Sequence, residues 1–120
     1  MGLRQGDIVI DCADHEVVVP FWQAALGWKR HDVNEQYVTL VPPATQRKAV
    51  GAGLLPMLFQ KVPERKTGKN RVHIDFRSDD RLAEVERLVG LGAREDITRS
   101  LGDFTWTVMA DPEGNEFCVS

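Results

Sequence analysis

Only two cysteines, Cys12 and Cys118, occur in the 120 residues, one near each end. A disulfide-dense scaffold is therefore excluded, and in a reducing compartment both would be free thiols. Long apolar runs are also missing. The opening MGLRQGDIVI lacks the hydrophobic stretch that a signal peptide or membrane span requires, so a cytoplasmic chain without a membrane partner is expected. Gly2 does not open a myristoylation signal, because neither Gly6 nor Asp7 supplies the hydroxyl residue it needs. Positive charge is not in excess: 15 Lys and Arg against 18 Asp and Glu leave a formal net charge of −3, a poor match to nucleic acid. No GxGxxG, phosphate-loop, CxxC or HExxH pattern occurs, so nucleotide cofactors and the common zinc hydrolase motifs have no support.

What the chain does have is alternation. In residues 71–77 (RVHIDFR), Val72, Ile74 and Phe76 share one face of a strand, while Arg71, His73, Asp75 and Arg77 share the other. The first face calls for a core and the second suits a wet pocket. An earlier strand at 54–60 contains Pro56, which favours a sheet edge or a bulge. Upstream of both, residues 7–12 (DIVIDC) alternate as a strand, with Cys12 on its core face. Asp14 then caps a helix that Gly27 ends, and Pro20 is expected to kink that helix or delay its start. Strands at 28–32 and 36–41 are joined across Val33, Asn34 and Glu35 and closed by Pro42 and Pro43, and residues 44–53 form an irregular loop.

Downstream, Asp79 or Asp80 caps a second helix, on which Leu82, Val85, Leu88 and Val89 recur at helical spacing until Gly92 stops it. Strands follow at 94–98 and 104–109, separated by residues 99–103, and the turn DPEGN (111–115) feeds a last strand at 116–119. Parity groups Phe104, Trp106 and Val108, a trio expected in the core unless a ligand takes its place; Trp28 and Trp106 are the candidates for flat pocket walls. The halves match: VIDCAD, a helix and ALGW in one, HIDFRSD, a helix and GLGA in the other. The expected fold class is α+β, two tandem βαβββ modules over about 5–62 and 70–120 of a single domain, forming a curved mixed-sheet cup.

This doubled pattern, with VPE and KTGKNRVHIDF at its centre and DPEGNEFCV at its close, resembles the glyoxalase-like branch of the vicinal oxygen chelate superfamily. Glyoxalase I, bleomycin-resistance proteins, fosfomycin-resistance enzymes, extradiol dioxygenases and methylmalonyl-CoA epimerase belong to that superfamily. In its metal-dependent members the first and last strands of each module hold a pocket metal, commonly through His and Glu. The resemblance places that histidine at His73 and the last-strand glutamate position at Cys118, with Glu116 one rung away on the same face. In the first module the equivalents are Asp7, or Val9 if the repeat is aligned through Asp11 and Asp75, and Gln60.

The resemblance implies Asp7, Gln60, His73 and Cys118; the strand faces add Asp75 and Trp106 to the candidate ligand-binding set, with His73 and Glu116 as candidate catalytic residues. It suits Mg, Mn or Fe poorly, and zinc would have His73 and the Cys118 thiolate but no third ligand unless Asp7 or Glu116 reached in. The resemblance therefore implies a binder of a small organic molecule with no resident cofactor. The alternative is a lyase or isomerase of glyoxalase I type, with or without a divalent metal, in which His73 acts with Glu116 or Cys118. Asp75 beside His73 would favour the imidazolium, and Asp11 and Asp75 otherwise read as structural. Cys118 reads as an inert thiol on a polar strand face. The basic segment carrying Lys61, Arg65, Lys66, Lys69 and Arg71 reads as a solvated linker or an attractor of anions. Exposed edge strands favour a homodimer.

Overall fold

The computed structural model describes residues 2–43 and 54–120, and the loop expected at 44–53 lies outside them. The chain divides into two compact units, Met1–Arg65 and Lys66–Ser120. The first runs β1 (Ile8–Cys12), α1 (His15–Leu26), β2 (Lys29–Asp32), β3 (Tyr37–Val41) and β4 (Met57–Lys61). The second repeats that order as β5 (Ile74–Phe76), α2 (Arg81–Leu91), β6 (Arg94–Leu101), β7 (Phe104–Ala110) and β8 (Glu116–Val119). Their sheets are ordered β1-β4-β3-β2 and β5-β8-β7-β6. In each, the first strand runs parallel to the last and the other neighbours are antiparallel, so the fold is α+β with two mixed sheets.

Local chemistry accounts for the boundaries. The Asp14 carboxylate accepts from the amide of Glu16 to open α1, and Gly27, at φ 70, closes it where a side chain would be strained. Asp80 caps α2 through the amide of Ala83. Asn34 accepts from the amides of Gln36 and Tyr37, which turns β2 into β3. Asp111 is buried in the turn before β8, where its carboxylate takes the amides of Glu113 and Asn115 and the Asn115 side chain. Each helix covers one face of its own sheet: Val18, Val19, Phe21 and Trp22 with Leu40 and Phe59 in the first unit, Val85 and Leu88 with Met109, Phe117 and Val119 in the second. His15 is buried under α1, its Nε2 3.0 Å from the Phe59 carbonyl, a structural role the sequence did not announce.

Several expectations need correction. Pro20 neither delays α1 nor ends it; the helix starts at its cap and carries the proline on its exposed side, where water can stand in for the missing amide donor. Pro56 does not mark an edge, because it precedes β4, which lies inside its sheet, and its carbonyl accepts from the Ile8 amide. The strand around His73 is only Ile74–Phe76, and Val72 is 83% exposed, outside any core. On α2, Leu82 and Val89 are exposed, so the apolar stripe narrows to Val85 and Leu88. Residues 99–101 belong to β6, which continues to Leu101 and turns at Gly102, φ 60, directly into β7.

The largest correction concerns β7. Its buried face is Thr107 and Met109, whereas Phe104 is exposed and Trp106 and Val108 are half-buried on the opposite face. Thr107, beneath α2, is held by hydrogen bonds from Arg81 and with Thr98. Both faces of β7 carry large apolar groups, so parity separates the two sets without saying which one meets the helix. Trp28, by contrast, is 7% exposed and buried.

Candidate functional site

The face of the second sheet turned away from α2 carries the chemistry. Asp75 on β5 stands opposite Cys118 on β8, which in turn stands opposite Val108 on β7. Trp106 on β7, with Arg77 and Ser120 just past the ends of β5 and β8, borders the same cleft. A cleft of about 180 Å³ opens over it, lined by Asp75, Arg77, Leu101, Phe104, Trp106 and Cys118 among others. The rings of Phe104 and Trp106 stack at 5.5 Å and 28°, and the Arg77 guanidinium lies 5.2 Å from the Phe104 ring centre. Arg77 also donates to the Ser120 hydroxyl at 2.9 Å, which fixes the stack's outer end.

His73 Nε2 lies 3.2 Å from Oδ1 of Asp75, the acidic residue of the cleft wall. One ligand atom from each of His73, Asp75 and Cys118 falls within 4.8 Å of the others. Both cysteines are free thiols, and both are buried. Cys118 nonetheless lines the cleft. Burial pushes its thiol up from the ordinary range, and the neighbouring Asp75 carboxylate adds to the effect. A thiol so held is protonated and weakly nucleophilic at neutral pH.

Glu116, on the same face of β8, is engaged elsewhere. Lys69 meets it at 2.6 Å, Lys66 at 3.4 Å, and the Asn70 amide donates to it at 3.2 Å. These contacts, the Lys69 hydrogen bond foremost, hold its carboxyl below the usual range. The basic segment therefore spends Lys66 and Lys69 on a partner within its own unit. Asp7 is exposed ahead of β1, and Gln60 lies on β4 opposite Asp11; both belong to the first unit. Of the sequence-derived candidates, His73, Asp75, Trp106 and Cys118 thus gather on one face of the second sheet. The strand alternation puts Arg77 on the wet face, where it lines the cleft; Phe104, expected in the core unless a ligand takes its place, is a cleft wall, and Leu101 at the end of β6 was missed as one.

A family model described as a glyoxalase-like domain matches residues 7–120. The chain belongs to that family. No curated protein sequence matches it. Among solved structures, this glyoxalase-like chain is similar to a glyoxalase/bleomycin resistance protein/dioxygenase family enzyme from Burkholderia phytofirmans PsJN, at 16% identity and TM-score 0.73 over 95% of this chain and 94% of that one. It is similar to the fosfomycin resistance protein FosX from Listeria monocytogenes, at 16% identity and TM-score 0.74 over 99% and 93%. A mutant of the Listeria protein, complexed with Mn(II) and 1S,2S-dihydroxypropylphosphonic acid, aligns at 14% identity and TM-score 0.76 over 99% and 90%. At these identities the likeness establishes the vicinal oxygen chelate fold.

The strand registers test whether a metal of the kind this glyoxalase-like family implies would fit. Asp11 pairs with Gln60 as Asp75 pairs with Cys118, so the repeat aligns through the two aspartates and Val9, not Asp7, is the counterpart of His73. The first unit then offers a hydrocarbon and a neutral amide at the two implied positions. A hard ion such as Mn(II) favours carboxylate and imidazole donors, and this donor set does not fit it.

Proposed function

We propose that the chain binds a small organic molecule with a planar apolar part in the cleft of its second unit, without the hard-metal site of the family. The observation that supports this is the Phe104–Trp106 stack, left open on the face away from the helix, with Phe104 44% exposed. A ring laid on that stack would recover apolar contact, while Asp75 offers an acceptor at one end and Arg77 a donor at the other. The size sets the class: about 180 Å³ is small beside the roughly 300–1,000 Å³ of drug-sized sites, which favours one or two fused rings over an extended molecule. The test is a fluorescence and thermal-shift titration of chelator-treated protein with planar mono- and bicyclic aromatic compounds. Saturable binding that survives chelation and is weakened severalfold in Trp106→Ala is expected, and a chain that binds none of them defeats the reading.

A second reading has one observation of its own, the His73–Asp75 pair at 3.2 Å. A carboxylate that orients an imidazole equips it to move a proton next to a carbonyl, which suits a lyase or isomerase. Glu116 is a poorer candidate for that role because two lysines hold it. Turnover of a carbonyl substrate abolished in His73→Ala would favour this reading. The wholly exposed edge strand β6 supports a homodimer, which light scattering of the purified chain tests.

A further inference from the structure

We infer that the cleft of the second unit takes an aromatic carboxylate, with Arg77 as the residue that selects the acid over its neutral analogues. The inference deepens the proposed function and rests on it: the planar ring comes from that reading, and the charge is new. It starts from an imbalance between the two charged side chains of the cleft wall, Asp75 and Arg77. Asp75 has His73 Nε2 at 3.2 Å, whereas Arg77 has no carboxylate partner among the described residues.

What Arg77 touches is neutral. One N–H donates to the Ser120 hydroxyl at 2.9 Å, and the guanidinium carbon stands 5.2 Å from the centre of the Phe104 ring. These contacts hold the planar group beside the aromatic stack and leave most of its N–H donors open to a ligand. A ring laid on Phe104 and Trp106 brings a substituent in its own plane to those donors. The apolar rings also keep water from one side of the guanidinium, so an ion pair there is screened less than in open solvent. Arg99, the cross-strand partner of Trp106 on β6, adds a second positive charge to the same face.

Shape separates the anions. A carboxylate joined to an aromatic ring lies flat in the ring's plane and offers both oxygens to the parallel N–H donors of a guanidinium. The wall it would lie against is flat as well, with Phe104 and Trp106 inclined by 28°. A tetrahedral phosphonate pushes an oxygen out of that plane toward the stack and loses contact there. It also brings more negative charge to a wall whose lining holds Asp75 and a single guanidinium. Asp75 repels an anion at its own end of the cleft, which fixes which way round the acid lies.

The decisive experiment is calorimetric titration of the chelator-treated chain with naphthoate, naphthamide and naphthylphosphonate, which share a ring and differ only in the head group. Naphthoate is expected to bind at least roughly tenfold more tightly than naphthamide, with a preference that shrinks as salt is raised. Arg77→Gln, at an exposed position outside the core, should reduce that preference to within about twofold and leave naphthamide binding nearly unchanged. Arg77→Lys keeps the charge without the fork and should retain part of the preference. Trp106→Ala should weaken acid and amide alike, since it removes stacking and no charge. Equal affinity for acid and amide, tighter binding of the phosphonate, or an undiminished preference in Arg77→Gln overturns the inference and leaves the planar-ligand reading standing. A chain that binds neither acid nor amide defeats both.

Discussion

Asp75 and Cys118 sit opposite one another on adjacent parallel strands, while the equivalent rung of the first unit holds Asp11 and Gln60. One backbone plan thus carries a titratable pair in one half and an acid beside a neutral amide in the other. The difference between the halves is chemical.

Alkylation of Cys118 by iodoacetamide is expected to be slow at neutral pH, because burial first and Asp75 second raise its thiol and keep the thiolate scarce. Asp75→Asn removes the second cause and should speed alkylation severalfold in metal-free protein. Mass spectrometry of the peptide containing Cys118 reads the rate, and an unchanged rate would show that Asp75 has no influence on the sulfur.

Phe104→Ala and Trp106→Ala should each weaken a planar aromatic ligand by about 0.5–1.5 kcal/mol, roughly twofold to tenfold, the worth of a stacked ring. Neither residue belongs to the buried face of β7, so thermal stability should change little. A large loss of stability with no effect on binding would return the pair to a purely structural role.

Asp111→Ala should lower stability by about 1–3 kcal/mol, since it strands the amides of Glu113 and Asn115 in a turn where Asp111 itself is 3% exposed. The urea midpoint measures it. Asp111→Asn keeps one acceptor oxygen and should recover part of the loss.

Glu116 makes stability depend on pH on the acid side. Lys69 chiefly, with Asn70 and Lys66, holds its folded carboxyl below the unfolded value of roughly 4.3. Its contribution is therefore fully present above that value and is lost as pH falls through the lower, folded one. Urea midpoints followed from neutral pH into this range should fall, and Glu116→Gln should flatten the slope. An equally steep slope in the variant would assign the acid sensitivity to other carboxylates.

Much of the fold was legible because local chemistry marks it: Asp14 and Gly27, Asp80 and Gly92, and the DPEGN turn fall where helices and strands begin or end. The repeat was legible from two similar stretches, VIDCAD and HIDFRSD. What stayed hidden was non-local. Parity groups Phe104 with Trp106, yet nothing in the sequence says which side of β7 the helix covers, and that decides between core and pocket wall. His73 and Asp75 could be paired from their spacing, but the third member of the cluster comes from a strand more than forty residues away, and only the register of β5 on β8 brings it in. The same register decides between Asp7 and Val9 as the counterpart of His73.

In both units the strand that comes last in sequence lies in the interior of its sheet, and the strand that comes first has no other neighbour there. Ile8 must wait for Met57, and Ile74 for Phe117, before either can join a ladder. The hairpins β2–β3 and β6–β7 close from nearby residues, so folding should begin at the far edge of each sheet and travel inward, with the parallel pairing as the slow final step. His73, Asp75 and Cys118 would therefore come together only when folding is nearly complete, and any chemistry they perform would report a finished unit.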